Sequence, residues 1–177
     1  VETRHESGLP VGYTKVEYLE SQSNTSGLYI DTGLNFNSIY VYEVTYSKGG
    51  GPNAILGARK NSNYLEQWNF AVTYCNTGET CVYSSTETNS SSAVFTDNSY
   101  GIQHTIKYQQ STSTLLFDGT DNWNSNWINN VEIPYNVYLF AFNSVGSAGG
   151  SRTGYVRIYS YSVKNGNGNL VQNFITT

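Results

Sequence analysis

The chain has 177 residues, a formal net charge of −4 and only 12% charged residues, about half the share usual in soluble domains. It is long enough to bury a core of its own, and 15% aromatics exclude the composition of a disordered chain. No apolar run reaches the length of a membrane span, and nine scattered basic residues give no electrostatic footprint for nucleic acid.

Residues 1–8 are polar and read as a linker or expression remnant, and residues 9–177 as one domain. The chain contains no Met, which fits a mature or excised piece of a longer protein. Asn (21), Ser (21), Thr (18) and Tyr (16) dominate, a composition suited to a secreted or cell-surface location. Two-residue alternation of β-branched and aromatic residues predicts strands over 39–46, 69–74, 104–108, 115–117, 137–142 and 155–163. Turn residues punctuate them at Gly49 to Pro52, Asn76 to Gly78, Asp118-Gly119 and Asn165-Gly166. Residues 162–171 read as a hairpin around that last Asn-Gly pair. The low-complexity stretch 84–92 is expected to be a mobile loop. No window holds a helical period, so many short strands imply an all-β, antiparallel β-sandwich or barrel.

Cys75 and Cys81 flank a five-residue turn between strand-like segments. If those segments pair as a hairpin with the two Cys opposed, a disulfide fits the spacing of antiparallel partners. Two free thiols are the alternative. His5 lies in the expected linker, and His104 starts a strand as a polar strand residue. Two Cys and two distant His do not make a zinc site.

The segments Leu9-Pro-Val-Gly-Tyr-Thr-Lys-Val-Glu-Tyr-Leu-Glu-Ser21 and Leu28-Tyr-Ile-Asp-Thr-Gly33 resemble the opening of a concanavalin A-like (laminin G-like) domain. The pattern LPxGYxxLEYIES followed by QYIDTG occurs in gut bacterial surface proteins and phage tail proteins. Val137 to Asn143 is similar to the family's YLFARN segment. Arg157 to Val163 and Leu170 to Ile175 are similar to its closing strands. The resemblance spans 9–175 with gaps and implies a jelly-roll sandwich whose last strand lies near its first. It does not fix function, because the fold hosts lectins, enzymes and adhesins alike. In it, Tyr29 and Ile30 would start a strand and Asp31 to Gly33 would turn out of it, with Asp31 forming the turn.

Catalysis would need opposed titratable groups or a nucleophile with its base. The nine Glu and four Asp are dispersed, and the Glu-x-Asp-x-Glu pattern of glycosidases with this fold is missing. A non-enzymatic role is therefore expected. The strongest chemical signal is Asp118 to Trp127, longer than the family's usual strand-to-tail passage. There Trp123 and Trp127 interleave with Asn122, Asn124 and Asn126. A Trp ring stacks on the C–H face of a sugar while amides satisfy its hydroxyls. The alternative is that these rings plug the end of the sandwich. Trp68 shares a face with Phe70 and Val72 and serves either core or platform. Tyr64, Tyr83 and Tyr100 lie beside loop sequence and are candidates for exposed contacts.

A calcium ion is a candidate through Asp118 with Asp121, or Asp97 with Asn98, though no cofactor is required. The expected function is non-catalytic carbohydrate binding by one module of a larger protein, monomeric in isolation. The partners would be polysaccharide or glycan, with avidity from neighbouring modules. No nucleic acid and no membrane insertion are expected. The alternative is a protein-binding or structural module of a bacterial adhesin or phage tail fibre.

Overall fold

A computed structural model describes residues 18–21, 28–60, 69–76, 79–85, 90–96, 100–122, 133–149 and 152–175. All its regular structure is β, in an antiparallel sandwich, as expected. The organising element is β3, Val41–Arg59, of 19 residues. A straight strand of that length would span about 60 Å. Yet Ser38, three residues before it, and Lys60, the residue just after it, line one cleft. β3 therefore folds back on itself and contributes to both layers.

Its first half pairs with β7 (His104–Gln109) on one edge and with β13 (Arg152–Lys164) on the other. β7 continues to β8 (Thr114–Phe117) and β9 (Thr120–Asp121). β13 carries β14 (Leu170–Ile175) and β1 (Leu19–Ser21) on its far side, so the first and last strands share a neighbour. The second half of β3 pairs with β4 (Asn69–Asn76), which leads to β5 (Glu79–Ser85) and β6 (Ser90–Thr96). On its other edge it meets β10 (Asn136–Leu139), itself paired with β2 (Ile30–Asn35). Beyond β10, β11 (Phe142–Ser144) runs parallel to the end of β3 and forms a hairpin with β12 (Ser147–Gly149).

The fold-back falls at the run of glycines. Gly50 has φ +83°, open to Gly at no steric cost. Gly49 lies beneath the Tyr155 ring, whose nearest atoms would be 2.4 to 2.6 Å from any Cβ. The expected turn at 49–52 is thus a bend inside a continuous strand, with β13 following it and shifting register between Arg152 and Gly154. Three further expectations change. The 137–142 segment is two strands, broken where buried Phe140 adopts φ +65° and donates its N–H to the Ile55 carbonyl at 2.7 Å. Most of 84–92 belongs to the β5–β6 pair, with Ser84 opposite Ser91 and Ser85 opposite Ser90. Asp31 to Gly33 lies inside β2 rather than after it. Asp31 does keep a turn-like role, accepting the Gly33 N–H at 2.8 Å, with Gly33 at φ +70°.

Alternation builds the core. Tyr42, Val44 and Tyr46 are buried while Val41, Glu43 and Thr45 are half-exposed. They pack with Ile106, Tyr108, Leu115, Val156, Ile158, Tyr161 and Val163. Burial pushes the Tyr42 phenol well above its ordinary value, offset in part by the Asn37 N–H that it accepts at 2.7 Å. Among the described residues no helix is long and apolar enough to cross a membrane.

Candidate functional site

A cleft of about 420 Å³ opens at the end of the sandwich where β3 both begins and ends. Its lining joins the end of β2 and the turn after it (Asn35, Phe36, Asn37, Ser38) to Lys60, Ile133 and Pro134. The floor is apolar: Phe36 and Ile133 are buried, and Phe36 stacks on Tyr42 with centroids 5.3 Å apart. The rim carries two carboxamides, one hydroxyl and one ammonium. Asn35, Asn37 and Lys60 are exposed.

The turn is held from below and from the side. The Tyr42 hydroxyl accepts the Asn37 N–H, and the Phe36 N–H donates to the Tyr135 carbonyl at 3.4 Å. The Ser111 N–H donates to the Ser38 carbonyl at 3.0 Å, and Gln109 donates from Nε2 to the Ile39 carbonyl at 3.1 Å. Asn37 Oδ1 accepts the Ile39 N–H at 3.0 Å, an Asx turn that fixes the side chain. A rigid aromatic floor under amide donors and acceptors can take a ligand with both a C–H face and hydroxyls.

Position in the chain ties this cleft to the tryptophans. The segment with Tyr64 and Trp68 follows Lys60, and the segment with Trp123, Asn124, Asn126 and Trp127 precedes Ile133. Those six residues lie outside the described ones. Asn122 is described: its Nδ2 donates to the Thr120 carbonyl at 2.7 Å, a local bond that occupies one side of the amide. Tyr100 is 52% exposed. The adjoining Gly101 N–H donates to the Lys48 carbonyl beside the β3 bend, so Tyr100 sits at the opposite end from the cleft.

Asp118, at φ +49° in the β8–β9 turn, uses both carboxylate oxygens. Oδ2 lies 2.6 Å from His104 Nδ1 and Oδ1 accepts the Thr105 N–H at 2.8 Å. Asp121, on β9, pairs with Leu116 on β8. Among the described residues no three His, Cys, Asp or Glu side chains gather around a point where a metal could sit. Glu20 is matched to Arg157 at 2.5 Å, a structural pairing. Cys81 is buried and is not a free thiol. β4 and β5 form the expected hairpin, but Cys81 faces Thr73. Cys75 falls in a bulge between Tyr74 and Asn76, so the two Cys are not directly opposed.

The rim residues Asn35, Asn37, Ser38 and Lys60 were not singled out by the sequence. The Asn35-Phe-Asn-Ser38 run had the pattern of an aromatic between amides, but nothing local distinguishes it from any turn.

No family model matches the chain, and no curated protein matches it. Solved structures do. The carbohydrate-binding module CBM40 of the Ruminococcus gnavus IT-sialidase, bound to alpha2,6 sialyllactose, is similar with a TM-score of 0.50. Identity is 14%, over 82% of this chain and 91% of that one. The NanB sialidase of Streptococcus pneumoniae gives 0.54 at 14% identity, over 80% of this chain and 26% of the enzyme. Domains LG4-5 of the mouse laminin alpha1 chain give 0.50 at 11%, over 93% and 43%. At these identities the likeness is one of fold alone: the antiparallel β-sandwich.

Proposed function

We propose that this chain is a non-catalytic carbohydrate-binding module of a larger secreted or cell-surface protein. The observation that carries the reading is the cleft: an aromatic floor, a rim of Asn35, Asn37 and Ser38, and chain continuity with both Trp-bearing segments. Trp123 and Trp127, with Trp68 and Tyr64, would supply stacking surface, and Asn124 and Asn126 further amides. Neutral amides are cheaper to desolvate than carboxylates, which suits a neutral polyol. One of the fold neighbours holds a sialylated trisaccharide, so sialylated glycans belong on the array beside neutral ones.

Asn35→Ala is the cleanest test, because no other described residue bonds its side chain. Losing one or two ligand hydrogen bonds should weaken glycan binding about tenfold. Stability should move by no more than about 0.5 kcal/mol, as for an exposed side chain. A glycan array with the wild-type chain, followed by titration of the best hit by Trp fluorescence, reads both. Binding unchanged in Asn35→Ala would remove the cleft from the reading.

A Cys75–Cys81 disulfide belongs to the same proposal. Cys81 is not free, and the chain holds only one other cysteine. Thiol titration of the unfolded, unreduced chain should find no reactive thiol; two would refute the pairing. A protein-binding role is favoured by one observation. Tyr100 and Ile102 at the bend end, and Leu170, Val171 and Phe174 on edge strand β14, are exposed. An array with no glycan hit would shift the reading to that surface.

A further inference from the structure

The turn between β13 and β14 reads Asn165-Gly-Asn-Gly-Asn169 and holds both Asn-Gly pairs of the chain. Asn-Gly is the pair most open to deamidation, because glycine has no Cβ to shield its amide nitrogen from the carboxamide before it. The sequence makes the two pairs equivalent, and the fold makes them different. The Gly168 N–H donates to the Asn165 carbonyl at 2.9 Å, with Gly168 at φ +81°. That is the arrangement of a four-residue turn with Asn in its first position and Gly in its last.

Asn165 is gripped at backbone and side chain together. Its N–H donates to the Asn169 carbonyl at 2.9 Å, and its Oδ1 accepts the N–H groups of Asn167 and Asn169, both at 3.0 Å. Swinging its Cγ onto the Gly166 nitrogen breaks both Oδ1 bonds. Asn167 is exposed, and among the described residues nothing bonds its side chain. A single bond guards it, the one that ties the Gly168 nitrogen to the Asn165 carbonyl.

We propose that Asn167 is a self-modification site, converting to aspartate and isoaspartate in the folded chain while Asn165 is spared. The co-reactant is water. Once the bond to Asn165 opens, the Gly168 nitrogen gives its proton to solvent and attacks Asn167 Cγ. The new N–C bond closes a succinimide ring. The bond from Cγ to the side-chain nitrogen breaks, and that nitrogen leaves as ammonia with a proton taken back from solvent. Water then adds to one of the two ring carbonyls. Opening at one gives aspartate, and at the other isoaspartate, whose main chain is longer by a methylene. Either product sets a carboxylate into a turn, residues 165–169, that carries no charge.

The test follows both positions by peptide mapping and mass spectrometry during incubation at mildly alkaline pH, with the chain folded and with it unfolded in guanidinium chloride. Unfolded, the two Asn should convert at equal rates, since each precedes a glycine. Folded, Asn167 should convert about fivefold faster than Asn165, the factor that one further hydrogen bond supplies. Two variants separate the cause. Asn165→Asp keeps an oxygen for both N–H groups and should leave the Asn167 rate as it is. Asn165→Ala removes that oxygen, loosens the turn, and should raise the Asn167 rate by about fivefold. Equal rates at the two positions in the folded chain, a faster Asn165, or an Asn167 that stays intact while the unfolded chain is consumed overturns the assignment. An Asn167 rate unchanged in Asn165→Ala overturns it as well, because the turn would then not be what controls the reaction.

Discussion

Phe36→Ala should cost the fold about 3–4 kcal/mol and abolish retention of glycan by the cleft. The ring is 4% exposed, stacks on Tyr42, and stands 6.5 Å from the Tyr108 ring. Its loss removes apolar contact from two of the largest buried side chains and opens a void beneath the Asn35–Ser38 rim. The estimate sits at the lower end for Phe truncation, because this void would be continuous with the cleft and water can enter it. Tyr42 then loses the partner that keeps its hydroxyl under the Asn37 N–H, so the rim should loosen as well as the floor. Phe36→Leu keeps most of the volume and should cost about 1–1.5 kcal/mol, with weakened but measurable binding. Urea unfolding gives both values, and binding is measured at denaturant-free conditions where each variant remains folded. A cost below about 1 kcal/mol for the alanine variant would mean that Phe36 is not part of the cooperative core.

The strands with strict alternation were legible because alternation is itself the burial pattern. Tyr42, Val44 and Tyr46 point inward for the same reason that they are spaced by two. What the sequence could not show is where a punctuation signal breaks a strand and where it merely bends one. Gly49 to Pro52 has the composition of a turn. It becomes a bend because β13 pairs along both sides of it, and that partner lies a hundred residues away in the chain. The reverse error occurs at Phe140, a bulky apolar residue with no local reason to take a positive φ. It does so because tertiary burial and the Ile55 carbonyl hold it there. The serine-rich 84–92 stretch looked like a loop because edge pairing is carried by backbone groups, which composition does not report. The cleft was hidden for a related reason. Its rim comes from a turn after β2, the residue after β3 and the residues before β10, and only the fold-back of β3 brings those three places together. Asn122, within the segment singled out, is engaged locally, while the tryptophans around it connect in sequence to the cleft.

Thr80→Val should destabilise the protein by about 2–4 kcal/mol, although it changes shape hardly at all. Thr80 on β5 is fully buried and its Oγ1 accepts from two buried donors, Lys48 Nζ at 2.8 Å and the Tyr46 hydroxyl at 3.0 Å. Tyr46 and Lys48 leave the first half of β3 on the same face, two residues apart, and reach β5 in the other layer. The oxygen therefore links the two layers just before the glycine bend. Lys48 is 1% exposed, so taking away this acceptor removes a bond from a buried ammonium, and the loss exceeds that of a neutral surface bond. Thr80→Ser keeps the acceptor and gives up only a methyl, for about 1 kcal/mol. The decisive measurement is a double-mutant cycle with Lys48→Met, which removes the charge while keeping an unbranched side chain. If the ammonium is what makes the oxygen necessary, Thr80→Val should cost clearly less in the Lys48→Met background, with a coupling of about 1–3 kcal/mol. Equal costs in both backgrounds would show that Lys48 does not depend on Thr80, and that the two layers are joined here by apolar packing alone.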